Sequence, residues 1–132
     1  MVTAPIRWQF WAYVTPAGNA DVQNWFNDLL DEEKDDIRDQ LAYLQVLPQH
    51  LWKGPEFKAL GGEISEIRLG RGITKKFFRL YGTFWPKGVR LSYSVLIGKE
   101  KKTSNDRHGK QEAEASMRLL RNGGASVRQF EF

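Results

Sequence analysis

Cysteine is absent from the chain, so disulfides and thiolate metal sites are both excluded. Histidine is almost absent: His50 and His108 are too few for a histidine-rich metal site, and no cofactor is expected. No stretch approaches the ~20 apolar residues that span a bilayer, so no membrane partner is expected either. At the N-terminus, MVTAPIRWQFWAYV carries Arg7 ahead of a five-residue apolar run. That run is shorter than a signal peptide's core, and a cytoplasmic location is the expectation. The 132 residues, 41% of them hydrophobic, suit a single domain over 1–132 with one modest core. The net charge of +4 is unevenly spread. Residues 1–62 hold five Lys and Arg against nine Asp and Glu, a balance of −4, whereas residues 63–132 hold fifteen against seven, a balance of +8. This asymmetry points to a polyanionic partner more strongly than the total does. The alternative is a solvated surface with pairing between the halves.

Along the chain, IRWQFWAYV (6–14) is aromatic and β-branched enough to predict an opening strand. TPAGNAD breaks it, and Asn19 or Asp21 is placed to cap a following helix. Val22, Trp25, Phe26 and Leu29 recur at helical spacing, which predicts an amphipathic helix over 20–30. A second helix is predicted over 31–47 on the stripe Ile37, Leu41, Leu44 and Leu47, with Pro48 as its stop. The acidic run DEEKDD opens that helix, where the dipole favours negative charge; this role is preferred to a metal or catalytic one. EFKALGGEISEIRLG reads as a short segment, a Gly-Gly turn and a strand over 63–69. ITKKFFRLYGTFW (73–85) is the next strand, and VRLSYSVLIGK (89–99) a third. The third alternates strictly, with Val89, Leu91, Tyr93, Val95 and Ile97 on one side and Arg90, Ser92 and Ser94 on the other. A last helix is predicted from 105 or 106 to 122 on Ala113, Met117 and Leu120, ended by Gly123. The tail GASVRQFEF stays open between a short strand and a frayed end. The order β-α-α-β-β-β-α, two N-terminal helices and one C-terminal, predicts an α+β domain: an antiparallel sheet with helices on one face.

Alternation also assigns the two faces of each strand. Ile67, Leu69, Phe78, Leu80 and Phe84 suit a core, which leaves Glu66, Arg68, Phe77, Arg79, Tyr81, Ser92 and Ser94 to the opposite face. IRLGRGITKKFFRLYG (67–82) contains no acidic residue at all. Cations beside flat rings are what a single-stranded RNA surface needs, because guanidinium groups hold phosphates and rings stack unpaired bases. Aromatics in strands equally serve a core, so Phe77 and Tyr81 are open between the two roles. The arginines are less ambiguous: burying both requires paired acids, and Glu66 is the one nearby. After the third strand, GKEKKTSNDRH adds Lys99, Lys101, Lys102, Arg107 and His108 at the start of the last helix. Helix-start amides and these cations can contact phosphate together.

These residues carry a resemblance. FKALGGEISEIRLG followed by KKFFRLYG resembles the middle of the RelE/HigB superfamily of type II toxin–antitoxin toxins, in its phage-derived branch. That pattern reads Lys-x-Leu, a glycine-containing turn, Glu-Leu-Arg, then a Tyr-Arg-x-x-Tyr-like strand. Lys58, Leu60, Glu66, Ile67, Arg68, Phe78, Arg79, Leu80 and, less closely, Tyr81 carry the match. Gly98, Lys101, Lys102 and Thr103 in IGKEKKT match the lysine-rich segment that follows the third strand, and the alanine-bearing EAEASMRLLRN fits the final helix. The likeness covers nearly the whole chain in element order. The chain departs from it at Ile97 and Lys99, where that branch often has His and Phe, and it has no counterpart of a C-terminal tyrosine that some members use.

The resemblance implies a RelE-like fold and a metal-independent endoribonuclease, a toxin that cuts mRNA, commonly at the ribosome, and is neutralised by a cognate antitoxin protein. Such chemistry asks for a base at the ribose 2′-OH, charge stabilisation for a phosphorane and a proton for the leaving 5′-oxygen. Arg68 and Arg79 suit the second task, since planar forks match phosphate oxygens. Lys101 or Lys102, crowded by other cations, and His108 are the candidates for proton transfer. Lys58, Lys76, Phe77, Tyr81, Lys99 and Arg107 are the candidate RNA contacts. Two other readings stay open: a ParE-like module that inhibits gyrase by protein contact, and a phage-derived RNA-binding protein without nuclease activity.

Overall fold

The computed structural model describes residues 7–69, 77–88, 91–101 and 107–132. β1 (Trp8–Val14) leads into α1 (Asp21–Asn27), α2 (Asp31–Gln45) and a short 3-10 turn (Gln49–Leu51). Then come β2 (Phe57–Gly61), β3 (Ile64–Leu69), β4 (Phe78–Thr83), β5 (Leu91–Glu100), α3 (Arg107–Arg121) and β6 (Ser126–Gln129). Among the described residues the strands form one six-stranded sheet in the order β2-β3-β4-β5-β1-β6. Every neighbouring pair is antiparallel except β1 with β5. The fold is α+β, and none of its described helices is long and apolar enough to cross a membrane. Two strands extend the predicted order. The short segment before the Gly-Gly turn pairs with β3 as β2, and the tail pairs with β1 as β6.

Local chemistry accounts for the helix ends. The Glu33 carboxylate, 4% exposed, accepts the Leu30 N–H at 2.8 Å, so part of the acidic run satisfies a donor at the start of α2. Two indoles close its other end: Trp8 Nε1 donates to the Leu47 carbonyl at 2.7 Å and Trp52 Nε1 to the Leu44 carbonyl at 3.0 Å. Neither Asn19 nor Asp21 caps α1. Ala20 holds the N-cap position, and Thr15 Oγ1 instead accepts the Asn19 N–H at 3.0 Å.

The main core lies between the sheet and the α1–α2 pair. Ile37, Leu41 and Leu44 of α2 and Val22 and Phe26 of α1 are buried there as their spacing predicts. Trp8, Trp52, Phe57, Phe84 and Tyr93 form an aromatic cluster beside them. Trp25 of α1 lies on the backbone at Gly98, where a Cβ would come within 2.4 Å of its ring. Gln23 binds the tail like a neighbouring strand, donating to the Glu131 carbonyl at 2.7 Å and accepting the Glu131 N–H at 2.8 Å.

The helices are not confined to one face. Gly109 of α3 packs on the Tyr81 ring, and Glu112 Oε1 lies 3.6 Å from Lys99 Nζ; both partners are on the face turned away from α1 and α2. The stripe Ala113, Met117 and Leu120 is buried, so α3 covers part of what the sequence left as an open surface. A second correction concerns β5. Tyr81 pairs with Ile97 and Gly82 with Val95, which makes Leu96 the extra residue of a β-bulge. Ile97 therefore falls on the opposite face from Val95, and the strict alternation ends there.

Candidate functional site: a cross-strand arginine row

Beyond the bulge, the register aligns three cations. Arg68 is the Cα partner of Arg79, and Arg79 is the partner of Lys99, so β3, β4 and β5 present them side by side on the α3 face. Without the extra residue, Lys99 would share the apolar face with Val95. The next level of the same face carries Lys58, Glu66, Tyr81 and Ile97, again as Cα partners. Glu66 is buried at 4% exposure and serves both guanidiniums. Arg68 Nε donates to Glu66 Oε1 at 2.7 Å, while Arg79 Nε stands 3.9 Å from Oε2. Arg79 is the more enclosed, with its side chain 12% exposed against 32% for Arg68. Its Nη1 donates to the Phe78 carbonyl at 3.0 Å, and its buried Nε has no hydrogen-bond partner. Burial lowers the Arg79 pKa below its ordinary value; Glu66 opposes the shift and Arg68 adds to it. One carboxylate between two guanidiniums leaves the pair with net positive charge, in a setting that favours a second anion.

The other candidates lie in different surroundings. Lys58 is exposed one level below the row, and Phe77 is exposed just before β4, its carbonyl accepting the Lys101 N–H at 2.7 Å. Lys101 is half-buried at the end of β5. Arg107 opens α3, and His108 in the same turn is exposed. Lys76 and Lys102 lie outside the described residues. Tyr81 is a correction: it is on the expected face, but it is 1% exposed beneath Gly109 and has no ring surface left for a base. The reason is α3, whose packing face a sequence cannot specify.

Two features of the site went unread in the sequence. The bulge at Leu96 left a signal, because an apolar residue between Val95 and Ile97 breaks the polar alternation of Arg90, Ser92 and Ser94. Gly109 left another: a glycine inside a predicted helix carries a cost and asks for a reason. Comparison of the chain with protein-family models, with curated proteins and with solved structures finds no match.

Proposed function

We propose that the chain is a RelE/HigB-like toxin-type endoribonuclease that cleaves single-stranded mRNA without a metal ion and is neutralised by an antitoxin protein. The observation that carries this reading is the row Arg68–Arg79–Lys99 at one level of one sheet face, with buried Glu66 fixing the forks. In the proposed reaction the ribose 2′-oxygen attacks phosphorus and its proton passes to a base. The bond to the 5′-oxygen breaks, and that oxygen takes a proton from an acid. The products are a 2′,3′-cyclic phosphate and a 5′-hydroxyl end. Charge builds on the non-bridging oxygens, and cations already held in place stabilise it without reorganising at that moment. Arg68, the more exposed guanidinium, suits direct contact with phosphate; Arg79 adds charge from beneath. His108 and Lys101 are the proton-transfer candidates among the described residues. Phe77 suits stacking of an unpaired base.

Induced expression in a bacterial host tests the reading. The expected outcome is growth arrest with truncated mRNAs bearing 5′-hydroxyl ends. Intact transcripts accompanied by gyrase-dependent DNA breaks would replace it with the ParE-like alternative.

A further inference from the structure

Gly109 stands in the first turn of α3, and glycine is a poorer helix former than alanine. Its surroundings supply a reason. A Cβ at this position would lie 2.4 Å from both Cε2 and Cζ of Tyr81 and 2.7 Å from the phenol oxygen. The ring has nowhere to move, being 1% exposed between β4 and the helix. Tyr81 follows Arg79 by two residues on the same strand and face, and its Cα partners are Glu66 and Ile97. One turn further along α3, Glu112 is paired with Lys99, itself a member of the cation row. The start of α3 is thus seated on the level next to the row and tied to one of its cations.

We infer that Gly109 is a positioning residue for the arginine row: its missing side chain sets how closely the first turn of α3, with His108, approaches Arg68, Arg79 and Lys99. The inference deepens the ribonuclease reading and rests on it. A methyl group at 109 would enter the space of the Tyr81 ring and lift the first turn from the sheet. Local helix propensity acts the other way, since alanine is the better helix former. Function and stability therefore separate.

The test compares the parent, Gly109→Ala and Gly109→Ala/Tyr81→Leu, the last removing the ring atoms that the methyl would meet. Each is measured for thermal melting, affinity for a labelled single-stranded RNA oligonucleotide, and kcat and KM for its cleavage. Gly109→Ala should retain a cooperative melt and lose about tenfold or more in kcat with a smaller change in KM, since displacements near 1 Å cost up to ~10²-fold. The double variant should recover most of that loss. An unchanged kcat, a loss the double variant does not restore, or a collapsed melt would overturn the inference, the last by making the glycine a requirement of the fold. A parent that binds RNA without cutting it ends the ribonuclease reading alone. Affinity then judges the inference: weakened in Gly109→Ala and restored in the double variant supports it, and unchanged overturns it. A parent that neither binds nor cuts RNA removes both.

Discussion

Glu66 keeps 4% of its surface in contact with solvent, and a carboxylate taken that far from water needs compensating charge. Arg68 provides a hydrogen bond at 2.7 Å, and Arg79, at 3.9 Å, contributes field more than a bond. The dependence is mutual. The two guanidiniums are neighbours across β3 and β4, and without the carboxylate their repulsion would act at close range in a half-buried setting. Glu66→Gln keeps the shape and an acceptor for Arg68 while removing the charge between them. Urea unfolding should show a loss of about 1–3 kcal/mol, in the range for leaving buried polar or charged partners uncompensated. Equal or higher stability would mean that the forks are held by something other than this carboxylate. The identities of these three residues could be read in the sequence, including the point that Glu66 was the acid available to both. That it would be buried beneath them could not, because burial here depends on the helix placed above.

Elements hold the site through close backbone approaches, and β5 shows how. Trp25 of α1 lies against one face of the strand at Gly98, immediately before Lys99 points to the other. Gly98→Ala would set a Cβ 2.4 Å from the Trp25 ring, and Trp25 in turn packs edge-on against Phe78 at 6.0 Å. Overpacking of this kind should cost about 1–3 kcal/mol in denaturant unfolding. A neutral result would mean that α1 can slide along the sheet. The helices were legible because their stripes repeat: Ile37, Leu41 and Leu44, or Ala113, Met117 and Leu120, identify a packing face wherever the helix docks. Which side of the sheet receives the helix is a property of chain path, and so α3 was expected on the wrong face. Strand β2 was hidden by its brevity and its glycine. The Leu96 bulge was half legible: the apolar triplet Val95-Leu96-Ile97 breaks the alternation of VRLSYSVLIGK, but that the break is a bulge rather than a strand buried on both faces is settled only by pairing with β4.

Across the whole molecule the uneven charge becomes a division in space. Exposed Asp31, Glu32, Asp35 and Asp39 lie on α2, on the opposite side of the sheet from Arg68, Arg79 and Lys99. The balances of −4 and +8 in the two parts of the sequence therefore favour approach of a polyanion to the α3 face and disfavour the other. The central claim is that this face holds a phosphate through the reaction, and Arg79 is where it is most exposed to test. Single-turnover cleavage of a single-stranded RNA by the parent, Arg79→Ala and Arg79→Lys, with melting curves for each, measures it directly. Arg79→Ala is expected to cut ~10²-fold more slowly or worse and to melt somewhat lower, by no more than Glu66→Gln does, because its little-exposed side chain is part of the counter-charge of Glu66. Arg79→Lys should restore part of the rate, since it returns the charge but not the guanidinium geometry that donates to the Phe78 carbonyl. An Arg79→Ala protein that cuts RNA at the parental rate, or that melts far below Glu66→Gln, would contradict this and leave Arg79 with a structural role alone.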